Sequence, residues 1–183
     1  MPKLSSFNFI SLDGYYKGLN EDISWNKHDT EWDEYAAEGV KSGSTLIFGR
    51  VTYQLMAAYW PTPMAAENDA RVTAGMNNNH KIVFSRLLEK AGWHNTTLIK
   101  DDLAGAIKKL KQTPGSDMTI LGSGTIVTQL AELGLIDEFQ IMLNPVVIGN
   151  GTPLFQGIKR KLDLKLKSSR IFKNGNVLLC YEP

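Results

Sequence analysis

Cysteine is almost missing from this 183-residue chain. Cys180 is the single one, so no internal disulfide can form and no thiol metal cluster can be built. It stands in VLLCY, as a small buried hydrophobe of a last strand would. Net charge is nearly absent too: 20 Lys and Arg against 19 Asp and Glu leave +1. That balance exerts no global pull on nucleic acid or an anionic membrane, so a polyanionic ligand must be held by local groups. No apolar run is long enough to span a bilayer and no signal peptide is recognisable, which points to a cytoplasmic protein. Repeats, low-complexity tracts and linkers are missing as well. The length fits one domain, residues 1–183, with a full core. Apolar content of 43% and charged content of 21% are ordinary for a soluble globular protein.

What is present is an alternation of strands and helices. Phe7, Phe9 and Ile10 suggest a first strand ended by Asp13 and Gly14, and a polar, aromatic loop runs to about Asp29. Thr30 would cap a helix through Lys41 with Trp32, Ala36 and Val40 inward. Strands are expected at Thr45 to Phe48, Lys81 to Phe84 and Thr97 to Ile99, and helices at Val51 to Ala58, Ala65 to Met76 and Leu103 to Leu110. A hairpin of Leu162 to Phe172 with Val177 to Tyr181, turning at Asn174 and Gly175, closes the chain. Lys159 to Lys167 alternates with leucines and reads as a strand with one wet face. This order implies a mostly parallel sheet with helices on both faces and an antiparallel C-terminal ribbon.

The most informative stretch is Ile120 to Gly151. A strand from Met118 to Leu121 breaks at Gly122, Ser123 and Gly124. Ile126, Val127, Leu130 and Leu133 then share a helical face until Gly134 stops the helix. Phe139 to Leu143 with Val146 to Ile148 make the returning strand. A glycine turn opening a helix exposes backbone N–H groups where the helix dipole is positive, a place for a phosphate or pyrophosphate. The same turn without a ligand is a tight connection. It is not a Rossmann fingerprint: Val127 stands where a small residue is needed, and Asn144 where an acid would lie roughly 20 positions on.

Ligands of open α/β sheets bind beyond the carboxyl ends of the strands. Three such ends carry groups suited to one anionic cofactor: Gly49, Arg50 and Thr52 in FGRVTY; Ser85 and Arg86 in FSR; and Gly122 to Thr125 in GSGT. The order SLDG, FGRVTY, FSR, LGSGT, LGLIDEF and NPVVIGNG resembles the dihydrofolate-reductase-like superfamily. Within it, the reductase domain of bacterial riboflavin biosynthesis and its stand-alone relatives are most similar, over roughly Lys3 to Tyr181. The resemblance implies a three-layer α/β sandwich on an eight-stranded mixed sheet, a homodimer, and hydride transfer from NADPH to a heterocyclic or ribosyl substrate such as a phosphoribosylamino-pyrimidine.

Carried over, Gly49, Arg50 and Thr52 would hold the adenosine-side phosphates, and Ser85 and Arg86 would flank the 2′-phosphate. Gly122, Ser123, Gly124, Thr125 and Ile126 would receive the pyrophosphate. An arginine fork gripping the extra phosphate would favour NADPH over NADH. Ser11, Asp13 and Gly14 match an S-x-D-G segment lining the cleft of the riboflavin reductases, or form a plain turn. Asp33 stands where dihydrofolate reductases carry a proton-assisting carboxylate, or completes a capping box with Thr30. Trp25, Trp32 and Tyr53 could wall a flat heterocycle or be core. In the riboflavin reductases an acid precedes a glycine pair where this chain has Leu121, Gly122, Ser123 and Gly124. The pyrimidine substrate therefore stays open beside a pterin, as does a non-catalytic nucleotide-binding role. His and Cys residues cannot supply a zinc deaminase site, so no metal is expected.

Overall fold

The computed structural model describes residues 1–183. The elements are β1 (Leu4–Ser11), β2 (Tyr15–Lys17), α1 (Thr30–Lys41), β3 (Thr45–Gly49), α2 (Arg50–Tyr59), α3 (Pro63–Asn68), α4 (Ala70–Asn78) and β4 (Lys81–Phe84). Then follow β5 (Thr96–Ile99), α5 (Leu103–Gln112), β6 (Met118–Leu121), α6 (Gly124–Glu132), β7 (Glu138–Asn144), β8 (Thr152–Pro153), β9 (Lys165–Ile171) and β10 (Val177–Glu182). Eight strands form one sheet in the order β5-β4-β3-β6-β1-β7-β10-β9. The first six in that row run parallel, and β10 and β9 are antiparallel to their neighbours. The expected mixed α/β architecture is therefore the observed one.

Alternation along the strands feeds two cores. Ile47 and Ile120 join Ile126, Val127 and Leu130 of α6 on one face. Leu46 and Phe48 join Tyr53, Val72, Met76 and Trp93 on the other. Beside the second core, Trp32 of α1 covers Met142, Phe172, Leu178 and Cys180, so the cysteine is the buried apolar residue expected of it.

Several boundaries differ from the sequence reading, each for a local reason. Asp29, not Thr30, caps α1, its carboxylate accepting from the Trp32 amide at 2.8 Å. The helix expected over Ala65 to Met76 is two helices, because Asp69 leaves the helical region at φ −154° and caps α4 through the Arg71 and Val72 amides. The returning strand stops at Asn144, before Pro145, and Val146 to Ile148 have no regular secondary structure. Strand β9 starts three residues later than Leu162, and all seven of its residues are exposed, on both faces. Lys165 and Lys167 lie on this sheet edge, as charges do where further strand pairing is to be discouraged.

Lys81 is a fully buried charge at the start of β4. Its ammonium donates to the carbonyls of Met76, Asn77 and Asn79 at 2.7–3.0 Å, tying off the end of α4, and lies 4.6 Å from the centre of the Trp93 ring. Lys81→Met should cost about 3 kcal/mol of stability, since the acceptors lose their donor; a denaturant midpoint within error of the wild type would contradict this. Burial pushes the Lys81 pKa down to about 8 from 10.5. Between these values the unfolded lysine holds its proton and the folded one does not. Stability should therefore rise from pH 8 toward 10.5, and this rise should be missing in Lys81→Met.

Candidate active site

The three strand ends singled out in the sequence are adjacent, because β4, β3 and β6 are consecutive in the sheet. The turn after β6 is tightly defined. Gly122 and Ser123 are both left-handed, at φ 58° and 55°, and α6 begins at Gly124 with ordinary helical backbone. The conformational need for glycine thus falls on Gly122. At Gly124 it is spatial: a Cβ there would lie 2.7 Å from the Tyr16 ring.

Hydroxyl groups lock this turn to the β3–α2 junction. Ser123 Oγ accepts from the Gly49 amide at 2.8 Å, and the Ser123 amide donates to Thr52 Oγ1 at 3.2 Å. A side chain at Gly49 would meet Ile126 and Ser123 at 3.3–3.4 Å, a tight fit that leaves little room beyond glycine. On the far side Asn8, in β1 and 2% exposed, donates through Nδ2 to the Gly122 carbonyl at 3.1 Å. Ser123 O already accepts from the Ile126 and Val127 amides, leaving Gly124 and Thr125 as first-turn N–H groups with no helical carbonyl to meet. Helix N-termini of this kind can receive an anion, and Thr52, which accepts from the Ser123 amide, keeps a hydroxyl hydrogen to donate.

The charged groups beside this helix N-terminus are lightly held. Arg50 donates only to Gln54 Oε1 at 3.0 Å, on the first turn of α2. Arg86 is 3.3 Å from Asp101 in a pair more than three-quarters exposed on both sides. Such an exposed pair is worth less than about 1 kcal/mol and is readily given up to a phosphate. Ser85 Oγ accepts from the Leu87 and Leu88 amides at 3.0–3.1 Å and so shapes its own turn.

The substrate-side residues fare differently. Tyr53 is a correction: it is 4% exposed, packed on Phe48 and Trp93, and its hydroxyl accepts from the Trp93 amide, so it is core and walls nothing. Ser11 is fully buried and its hydroxyl accepts from the Tyr15 amide at 3.0 Å, a turn-forming role. Asp13 accepts from the Gly149 and Ile148 amides at 2.8 and 3.3 Å. The Ser11 hydroxyl and then these amides hold its carboxyl below the ordinary value, so it stays an ionised clamp between two loops. With Asp29 in place of Thr30 as the N-cap, the expected box between Thr30 and Asp33 does not form. Half-buried on α1, Asp33 lies near His28, whose own pKa is lowered by packing against neighbouring rings and raised in part by the charges of Asp33 and Asp29. His28 stacks on Phe9 at 5.7 Å between ring centres, and Phe7 stacks on Trp32 at 5.6 Å. Trp25 is half-buried in the loop before α1 and donates to the Asp22 carbonyl. That loop is held to the end of β7 by Asn144 Oδ1, which accepts from the Lys27 amide at 3.0 Å.

Two residues at the turn escaped the sequence reading. Asn8 had a visible signal, an amide inside an otherwise apolar strand. Tyr16 had none, because β2 is three residues long and exists only by pairing with β8. The cavity of about 490 Å³ beside Asp29, Glu31, Glu34, Arg170 and Lys173 lies away from these strand ends. Its Glu31 is already satisfied by Arg170 and the Lys173 amide.

Comparison with known proteins bears on this geometry. The family model described as the RibD C-terminal domain matches residues 2–178. The uncharacterized protein YyaP of Bacillus subtilis (strain 168) is 30% identical over 172 residues, 94% of this chain and 90% of its own. A candidate riboflavin biosynthesis protein from Shewanella sp. PV-4 superposes with a TM-score of 0.74 at 22% identity, covering 98% of both chains. A diaminohydroxyphosphoribosylaminopyrimidine deaminase/5-amino-6-(5-phosphoribosylamino)uracil reductase from Thermotoga maritima gives a TM-score of 0.71 at 16% identity, with all of this chain on 56% of that one. At these identities the two structures share the fold.

Proposed function

Since the chain belongs to the RibD C-terminal domain family, we propose that it is an NADPH-dependent reductase of a pyrimidine or related heterocyclic substrate. The observation that supports the reading is the interlocked pair of turns, in which Ser123 is bonded to Gly49 and Thr52 at the start of α6, with Arg50 and Arg86 on the two neighbouring strand ends. The residues fit a dinucleotide. Gly124 and Thr125 amides with the Thr52 hydroxyl would hold its pyrophosphate, and Arg50, Ser85 and Arg86 its adenosine-side phosphates. When bound, NADPH supplies a hydride. The chain's own part is to seat the oxyanions, to present the half-buried Phe9 and the neighbouring His28 to a flat ring, and to hold the Asp33 carboxylate near them.

A pterin-like substrate is the second reading, favoured by the position of Asp33 on the first helix with its capping role already taken by Asp29. Cofactor oxidation measured with a phosphoribosylamino-pyrimidine and with dihydrofolate separates the two. Oxidation with neither, against saturable NADPH binding, would leave a nucleotide-binding protein without this chemistry.

Arg50→Ala tests the cofactor preference. It should weaken NADPH by roughly 10- to 150-fold, the size of one charged hydrogen bond of about 1.5–3 kcal/mol, and NADH much less. Equal weakening of both would remove Arg50 from the 2′-phosphate side.

A further inference from the structure

We propose that Tyr16 is part of the binding site, as the wall of the pyrophosphate seat and a hydrogen-bond donor to the anion. The proposal rests on the reading of the Gly122–Ile126 turn as the pyrophosphate site. Tyr16 lies in the short ribbon of β2 and β8, and the phenol end of its ring rests on Gly124. A Cβ built on that residue would come within 2.7 Å of the ring and 2.9 Å of the hydroxyl oxygen. The ring is positioned by the same apolar core as Ile126 and Val127, so it is a packed side chain and not a free one. Its hydroxyl lies by the Lys17 ammonium, which it can accept from, and its own hydrogen is left to donate beside a helix N-terminus with unpaired amides.

A lysine lies beside the phenol, with its charge balanced by Glu21. The Lys17 ammonium is 5.5 Å from the Tyr16 ring centre, and its salt bridge to Glu21 keeps it near β2. A second observation singles out this turn: Asn8 Oδ1 is buried beside it with no hydrogen-bond partner, while Nδ2 of the same amide holds the Gly122 carbonyl. A dinucleotide brings hydroxyl and carboxamide donors along with its oxyanions, and a simple anion brings none. The close approach of the two backbones that places Tyr16 depends on Gly151, where a Cβ would run into the Lys17 carbonyl.

Tyr16→Phe keeps the wall and removes the donor. Titration of wild type and variant with NADPH, and separately with inorganic pyrophosphate, should show Kd raised by roughly 10- to 100-fold for both probes in the variant. Melting temperature should stay within a degree or so of the wild type, since the hydroxyl meets only Lys17, which Glu21 also holds. Unchanged binding in Tyr16→Phe would overturn the donor role, and tighter binding would make the ring a plug. If the wild type bound neither NADPH nor NADH, the cofactor reading would fail and the role of Tyr16 with it. Normal wild-type binding with an indifferent variant rejects Tyr16 alone.

Discussion

Asp33→Asn should fold and bind NADPH as the wild type does, yet lose turnover by roughly 10²–10⁴-fold on a substrate the wild type reduces. The substitution keeps the shape and an oxygen acceptor while removing the group that titrates. Asp29 already supplies the N-cap of α1, so the loss cannot be blamed on a frayed helix. Asp13 is no substitute, since its carboxylate is engaged by the Gly149 and Ile148 amides and held ionised. Wild-type turnover in Asp33→Asn would remove this residue from the chemistry and leave the proton to solvent.

Gly124→Val is expected to weaken NADPH by at least ~100-fold, or about 2.7 kcal/mol. The reason is contact and not backbone strain, since Gly124 is helical and the left-handed residues are Gly122 and Ser123. The new side chain would fill the ground held by the Tyr16 ring and push β2 away from the α6 N-terminus. Circular dichroism should be unchanged and the melting temperature a few degrees lower, because only the edge of one core is disturbed. Normal NADPH affinity in a folded Gly124→Val protein would reduce the turn to a structural connection.

What could be read in the sequence follows the range of the interactions involved. Glycine turns, strand alternation and the α6 stripe are local, and they place β3, β6, α6 and the Asn174–Gly175 hairpin within a few residues. Contiguity of β4, β3 and β6 came from the resemblance together with the rule for strand ends, not from any local signal. Residue type misled where burial decides the role. Tyr53 and Ser11 carry useful polar groups, but both spend them inside the fold, one on the Trp93 amide and one on its own turn. Asp69 looks like any helical surface acid until its backbone is seen to break one helix and cap another. Tyr16 was out of reach because its position depends on a pairing with residues more than 130 positions away.

Every role proposed here depends on NADPH binding at the α6 N-terminus and its neighbouring strand ends. Calorimetric titration of the unmodified protein with NADPH and NADH tests it most directly. Saturable one-to-one binding of both is expected, with NADPH tighter by at least roughly 10-fold through the charged contact to its extra phosphate. Absence of binding heat and of thermal stabilisation with either nucleotide, on folded protein, would contradict it.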